Sequence, residues 1–190
     1  RQKRCTLMLR IIIIFFILIS NVPVIASVKD NIIKNLTSTK NLVFNFEQNI
    51  NGKIETGTCV IEYPKKIFCN YNLSNGKILV SNGKSLVIKT NNGTYYKYSI
   101  TKTPLDYILD KKFLLKELQN LEERIIDNKF INFTIFKNEN EINIFFDKKK
   151  FDLIGWQILD IYQNLNITYL SSIKKNQTLK KNIFKLPLAN

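Results

Sequence analysis

The sequence predicts a mainly β domain with a few short helices: one antiparallel sheet of about eleven strands, curled into an unclosed barrel with a helical lid over a hydrophobic cavity. Three observations predict it. Asn51-Gly52, Asn75-Gly76, Asn82-Gly83 and Asn92-Gly93 punctuate runs of Val, Ile, Tyr and Thr, and Asn-Gly supplies the positive φ values that tight hairpin turns demand. At Thr103-Pro104-Leu105-Asp106 the pattern changes from alternating to helical. A single sheet built from so many strands must curl, and the helices give it something to curl over.

The elements follow in order. Arg1, Lys3, Arg4 and Arg10 precede an unbroken apolar run, Ile11 to Ile19, and Val24-Ile25-Ala26 places small or modest side chains before Ser27. This is the pattern of a secretory signal peptide over 1–26, with 27–190 as one domain. The stretch from Ile11 to Ala26 contains Ser20, Asn21 and Pro23 and falls short of the roughly 20 apolar residues of a spanning helix. No cysteine follows the expected cut, so the signal does not predict a lipidated N-terminus.

Val28, Ile32, Ile33 and Leu36 recur at helical spacing and predict a short amphipathic helix. Leu42 to Gln48 reads as a strand with Phe44 and Phe46 on one face. A hairpin follows, ending at Tyr63-Pro64 and returning as Ile67 to Tyr71. Alternation puts Cys59, Ile61 and Tyr63 on one face of the outgoing strand, and Ile67, Cys69 and Tyr71 on one face of the return. Lys77 to Ser81, Ser85 to Ile88 and a further strand complete the first half. Thr103 then reads as a helix cap, with Pro104 at the first helical position and Asp106 in the first turn. Leu105, Ile108 and Leu109 form one stripe. Lys111-Lys112 interrupts, and Phe113 to Leu121 continues as a second helical piece. Strands resume at Arg124–Ile126, Phe130–Lys137, Glu141–Asp147, Asp152–Asp160, Leu165–Ser172 and Asn182–Leu186, giving eleven or twelve in total.

Composition narrows the function. The chain has 29 basic and 15 acidic residues. Removing the leader's four leaves 29 − 4 = 25 basic residues against 15 acidic, a net +10. Arg124 is the only arginine beyond the leader, and arginine is the usual residue for bidentate base and phosphate contacts, so no nucleic-acid partner is expected. An attraction to anionic lipid head groups remains open. With no histidine in the chain, there is no Ser-His or Cys-His pair and no imidazole metal ligand. No Gly-rich phosphate loop occurs, and Asp160 reads as an exposed strand end. No catalytic set, metal or cofactor is predicted.

Cys59 and Cys69 flank the turn at Pro64. Symmetric pairing sets them opposite each other, where a non-hydrogen-bonded pair brings the Cα atoms near enough for a disulfide. A slip of one residue opposes Cys59 to Asn70, leaving two free, small apolar residues. What the residues do offer is apolar surface. The expected cavity and lid residues are Leu36, Phe46, Ile61, Tyr63, Ile67, Cys69, Tyr71, Leu105, Ile108 and Leu109.

Phe44-x-Phe46-x-Gln48, Gly57, Pro64 with Ile67 and Tyr71, Ile78 to Lys84 with Leu86, and Thr103-Pro104-Leu105 come in an order that resembles the LolA family of periplasmic outer-membrane lipoprotein carriers. Leu153-x-Gly155-Trp156, Asp160 with Gln163, and Phe184 resemble the family's later strands. The resemblance covers essentially the whole chain beyond the leader. It implies a monomeric, non-enzymatic periplasmic protein. Such a protein accepts acylated lipoproteins from an inner-membrane ABC lipoprotein-releasing complex and passes them to an outer-membrane lipoprotein receptor. A related envelope domain that binds lipid or lipoprotein without carrying it is the alternative. The chain departs from the family at Tyr63, where relatives often carry an arginine tied to lid opening, and at Phe68, where some relatives also carry arginine. A phenol at Tyr63 is expected to hydrogen-bond lid carbonyls without carrying charge.

Overall fold

A computed structural model describes residues 27–72 and 75–189; the predicted signal peptide lies outside the described residues. Helix α1 (Val28–Ser38) opens the domain. Ser27 caps it reciprocally with Asp30, the hydroxyl accepting from the Asp30 amide and the carboxylate accepting from the Ser27 N–H, each at 3.1 Å. Six strands follow: β1 (Asn41–Ile50), β2 (Lys53–Glu62), β3 (Lys66–Tyr71), β4 (Ile78–Asn82), β5 (Ser85–Lys89) and β6 (Tyr95–Ser99). A 3-10 turn at Ile100–Lys102 leads into α2 (Leu105–Leu109) and α3 (Lys111–Asn120). The chain returns as β7 (Arg124–Ile126), β8 (Phe130–Lys137), β9 (Asn140–Asp147), β10 (Leu153–Leu159) and β11 (Leu165–Lys175).

All eleven strands form one antiparallel sheet, in the order β6-β5-β4-β3-β2-β1-β11-β10-β9-β8-β7. Two meanders are thus sewn together along β1 and β11. Strands β6 and β7 are the free edges, so the barrel is not closed. The turns explain the meander. Asn51 and Gly52 (φ 50 and 89) both take positive φ and form the two-residue loop between Ile50 and Lys53, as a type I′ hairpin requires; Asn75 and Gly76 (φ 48 and 62) also take positive φ, in the longer β3–β4 connection. At Asn82-Gly83 and Asn92-Gly93 only the glycine does.

The concave face holds the core. Strand β1 alternates, with Leu42, Phe44 and Phe46 turned inward. Three helices pack into the curl through Ile32 and Leu36 of α1, Ile108 and Leu109 of α2, and Leu114 and Leu118 of α3. Burying each such side chain stabilises by about 1.5–3 kcal/mol. Apolar burial therefore holds even the five-residue α2, which is too short to be stable by propensity.

Three expectations are corrected. Thr103 does not cap α2: its hydroxyl donates to the Ile100 carbonyl at 2.8 Å and closes the 3-10 turn instead. Pro104, in helical dihedrals and with no side-chain oxygen to offer, takes the cap position. The break between the two helices falls at Asp110, in extended backbone, whose carboxylate accepts from the Phe113 amide at 3.1 Å; Lys111 and Lys112 open α3 and do not interrupt it. The segment Asn182–Leu186 is not a strand. Asn182 is left-handed (φ 62) and the Lys185 amide donates back to its carbonyl at 3.0 Å, which makes a turn. The tail then runs to the β5–β6 edge, where Tyr95 Oη and Lys89 Nζ donate to the Pro187 and Leu188 carbonyls at 3.3 and 2.9 Å.

Candidate hydrophobic cavity

Strands β2 and β3 pair about the Tyr63–Lys65 turn with Cys59 directly opposite Cys69. The two are joined in a disulfide, their Cα atoms 4.1 Å apart. That bridge forms one wall of a cavity of about 170 Å³. Phe46 from β1, Ile67 and Tyr71 from β3, and Leu105 at the start of α2 complete the near side. The Phe46 and Tyr71 rings meet edge to face, 4.9 Å between centroids. Phe46 lies over Gly57, where even a Cβ would sit 2.7 Å from the ring and 2.1 Å from the Asn70 carbonyl oxygen. The glycine thus makes the room that the phenyl ring occupies.

The ten expected residues divide. Phe46, Ile67, Cys69, Tyr71 and Leu105 line the cavity, and so does Cys59. Leu36, Ile61, Ile108 and Leu109 are buried in the core behind it. Tyr63 packs against that core with its hydroxyl buried, and the phenol finds no hydrogen-bond partner among the described residues. Burial alone pushes its pKa up. The expected bond from Tyr63 to lid carbonyls is therefore absent. Lys65, two residues on, makes that connection. Its amide donates to the Leu109 carbonyl at 2.8 Å, and its ammonium pairs with Asp106 at 3.0 Å and Asp110 at 3.3 Å. The Asp106 hydrogen bond leads the causes that raise the Lys65 pKa. Lys111 adds a second tie, reaching the Thr39 carbonyl of the α1–β1 link at 2.8 Å.

Sequence reasoning misses other lining residues. Leu79, Leu86 and Ile88 come from β4 and β5, and Trp156 and Ile158 from β10. Their signal is the same period-two alternation that marks β2 and β3. Asp160 sits on the rim, where its carboxylate accepts from the Tyr162 and Asn164 amides at 2.8 and 2.9 Å and ties the β10–β11 turn. A polar corner is missed as well. Tyr71 Oη donates to Gln48 Oε1 at 3.1 Å, and Gln48 Nε2 donates to Asn166 and Thr168 at 3.1 and 3.2 Å. Glu55, 7 % exposed, pairs with Lys77 at 2.5 Å and Lys53 at 3.3 Å. Burial pushes the Glu55 pKa up, but the two lysines together outweigh it and hold the carboxyl below its ordinary value. Burial and the nearby Glu55 charge both raise the Tyr71 pKa.

Among the described residues no three His, Cys, Asp or Glu side chains converge to hold a metal, and no helix is long and apolar enough to cross a membrane. The arrangement suits an apolar guest: a pocket lined mainly by hydrocarbon, with a hydrogen-bonded polar corner.

A family model described as outer membrane lipoprotein carrier protein LolA matches residues 37–187. Structures of similar fold include a LolA superfamily protein from Nitrosomonas europaea, at 7% identity and a TM-score of 0.45, covering 85% of this chain and 99% of that one. MucB is another, at 8% identity and a TM-score of 0.48, covering 85% of this chain and 62% of that one. The MucA/MucB complex of Pseudomonas aeruginosa gives 9% identity, a TM-score of 0.45 and the same coverage. The chain thus spans less than two thirds of the MucB chains. No curated protein matches it. The match runs from the last turn of α1 into the tail beyond β11, and by that match the protein belongs to the LolA family of outer membrane lipoprotein carrier proteins.

Proposed function

We propose that the protein is a periplasmic carrier that shields the acyl chains of lipoproteins between an inner-membrane ABC releasing complex and an outer-membrane receptor. The observation that carries this reading is the apolar cavity beneath the five-residue helix α2. Each methylene removed from water stabilises by about 0.8 kcal/mol, so a chain of about sixteen carbons brings on the order of 13 kcal/mol of incentive to stay hidden. A carrier that must also release its cargo is served by a wall of side chains with few directional bonds, as this one is.

The volume adds a mechanical requirement. A cavity of about 150 Å³ holds benzene, and this one is about 170 Å³, far short of an acyl chain. The described conformation therefore shelters only part of a chain, and full uptake requires α2 to lift from the β2–β3 turn. Leu105 leaves the cavity with it, while Phe46, Ile67, Tyr71 and the disulfide stay fixed to the sheet.

The test adds purified protein to inner-membrane vesicles that hold the releasing complex, with ATP. Lipoprotein in the supernatant, bound to the protein, supports the carrier. If the protein binds acyl chains but lipoproteins stay in the vesicles, it is a lipid-binding envelope domain without carrier activity. If it binds no amphiphile, the reading fails.

A further inference from the structure

The polar corner of the cavity is closed on itself, with one exception. Tyr71, Gln48, Asn166 and Thr168 satisfy one another through the hydrogen bonds at 3.1–3.2 Å. Lys77 does not fit that pattern. Its ammonium lies 4.0 Å from the centre of the Tyr71 ring and donates to Glu55 Oε2 at 2.5 Å. An ammonium carries three N–H donors, and Glu55 is its one hydrogen-bond acceptor among the described residues. The Lys77 side chain lines the cavity and is 20% exposed, while the Glu55 side chain that holds it is 6% exposed. A buried carboxylate thus fixes a cation at the boundary between the hydrocarbon wall and water, with donors left to give.

We propose that Lys77 is the head-group subsite of this cavity: it donates to the carbonyl oxygen at the polar end of an acyl chain whose hydrocarbon lies against Phe46, Ile67 and the Cys59–Cys69 bridge. The proposal rests on the acyl-binding reading and adds to it a ligand orientation and a preference. Two lysines, 53 and 77, stand against Glu55 at this corner, and the Asp160 carboxylate on the rim is engaged by the Tyr162 and Asn164 amides of its own turn. The surplus positive charge favours an oxygen-bearing head and disfavours an ammonium head. An acyl ester, an amide and a free carboxylate all present such an oxygen, so the site reads the acyl carbonyl and not the alkyl chain alone.

The test uses displacement of the neutral dye N-phenyl-1-naphthylamine by three ligands of equal chain length: decane, methyl decanoate and decanoate. A hydrogen bond from a charged donor is worth at least about tenfold in affinity, so the preference for the two carbonyl ligands, taken as their affinity relative to that of decane, should be at least that much larger in wild type than in a variant without the donor. Lys77→Met should lose this preference and keep decane binding, which also reports that the variant is folded. Lys77→Arg, which keeps charge and donors, should restore it. Selective loss in the ester arm, the carboxylate arm or both supports the proposal and identifies which head the site reads. Equal ratios in wild type and Lys77→Met overturn it while leaving acyl binding intact. Wild type that binds neither dye nor decane overturns the acyl-binding reading, and the proposal with it. Should Lys77→Met fail to fold, the carbonyl stretch of ¹³C-labelled methyl decanoate bound to wild type decides. A shift to lower frequency than in alkane supports the subsite, and an unshifted band overturns it.

Discussion

At the residue scale, two contacts carry consequences out of proportion to their size. The Cys59–Cys69 bridge closes a small loop across directly paired strands. By loop-closure entropy it stabilises by roughly 2–3 kcal/mol, which for a domain of this size corresponds to roughly 5–10 °C in melting temperature. The Cys59→Ala/Cys69→Ala double variant should melt lower by that amount, and reductant should lower wild type equally while leaving the variant unmoved. A reductant-insensitive wild type would contradict this. Gly57 and Gly52 separate two reasons for a glycine. Gly52 needs its positive φ, but a Cβ there would have nothing within 4 Å, so Gly52→Ala should cost only about 1–2 kcal/mol of backbone strain. At Gly57 the obstacle is the Asn70 carbonyl and the Phe46 ring, neither of which can move without breaking the β2–β3 ladder or filling the cavity. Gly57→Ala should cost about 3 kcal/mol, the upper end of the usual overpacking range. Urea melts of the two variants give the comparison, and Gly57→Ala must be the worse.

At the element scale, the lid is held by charge as well as by packing. Lys65 joins the β2–β3 turn to both ends of α2, through Asp106 in its first turn and the Leu109 carbonyl and Asp110 at its C-terminus. Its pKa is raised, so the pair is fully present below the ordinary lysine value of 10.5 and is lost as pH rises through the higher folded value. Lys65→Met should therefore speed amide hydrogen exchange in α2 at neutral pH, and wild type should approach the variant's rate only in strong alkali. Unchanged exchange in the variant would show that packing alone holds the lid. Glu55 carries the opposite sign. With its pKa lowered, its contribution is present above the ordinary 4.5 and is lost as pH falls through the lower folded value, so the cavity rim should loosen only in acid. The strands, their order in sequence and the inward faces of β2 and β3 are legible because period-two alternation and Asn-Gly turns are local signals. The Lys65 latch is not, since its partners lie some 40 positions on and only the folded turn brings them together. The Asn182–Leu186 segment misleads for a related reason. Its Ile, Phe and Leu read as a strand, but left-handed backbone at Asn182 and the bond from the Lys185 amide to the Asn182 carbonyl turn it out of the sheet, and the following Pro187 and Leu188 carbonyls accept from Tyr95 and Lys89.

At the scale of the whole molecule, the fold divides one apolar interior between a packed core and a cavity. Ile108 and Leu105 lie on the same short helix, yet Ile108 is fully buried among core residues while Leu105 is only half-buried and faces the cavity. Sequence alone places both in one stripe and does not separate them, because the division depends on where the sheet stops curling. Edge strand β6 and the β10–β11 turn meet there through Tyr98 and Tyr162, whose hydroxyls are 3.0 Å apart, and the sheet goes no further toward closure. A carboxylate should distinguish the two positions. At Ile108 it has no water and no partner, so Ile108→Asp should cost several kcal/mol and leave little folded protein. At Leu105 it can reach solvent as α2 lifts, so Leu105→Asp should melt within a few degrees of wild type. It should nevertheless fail to bind decanoate or to take lipoprotein from vesicles, because an acyl chain entering beside it would strip water from an unpaired charge. Thermal melts paired with the displacement assay check both halves. If Leu105→Asp binds acyl chains as wild type does, the ligand does not enter beneath α2. If Ile108→Asp folds and only binding suffers, the cavity extends into what the structure shows as core.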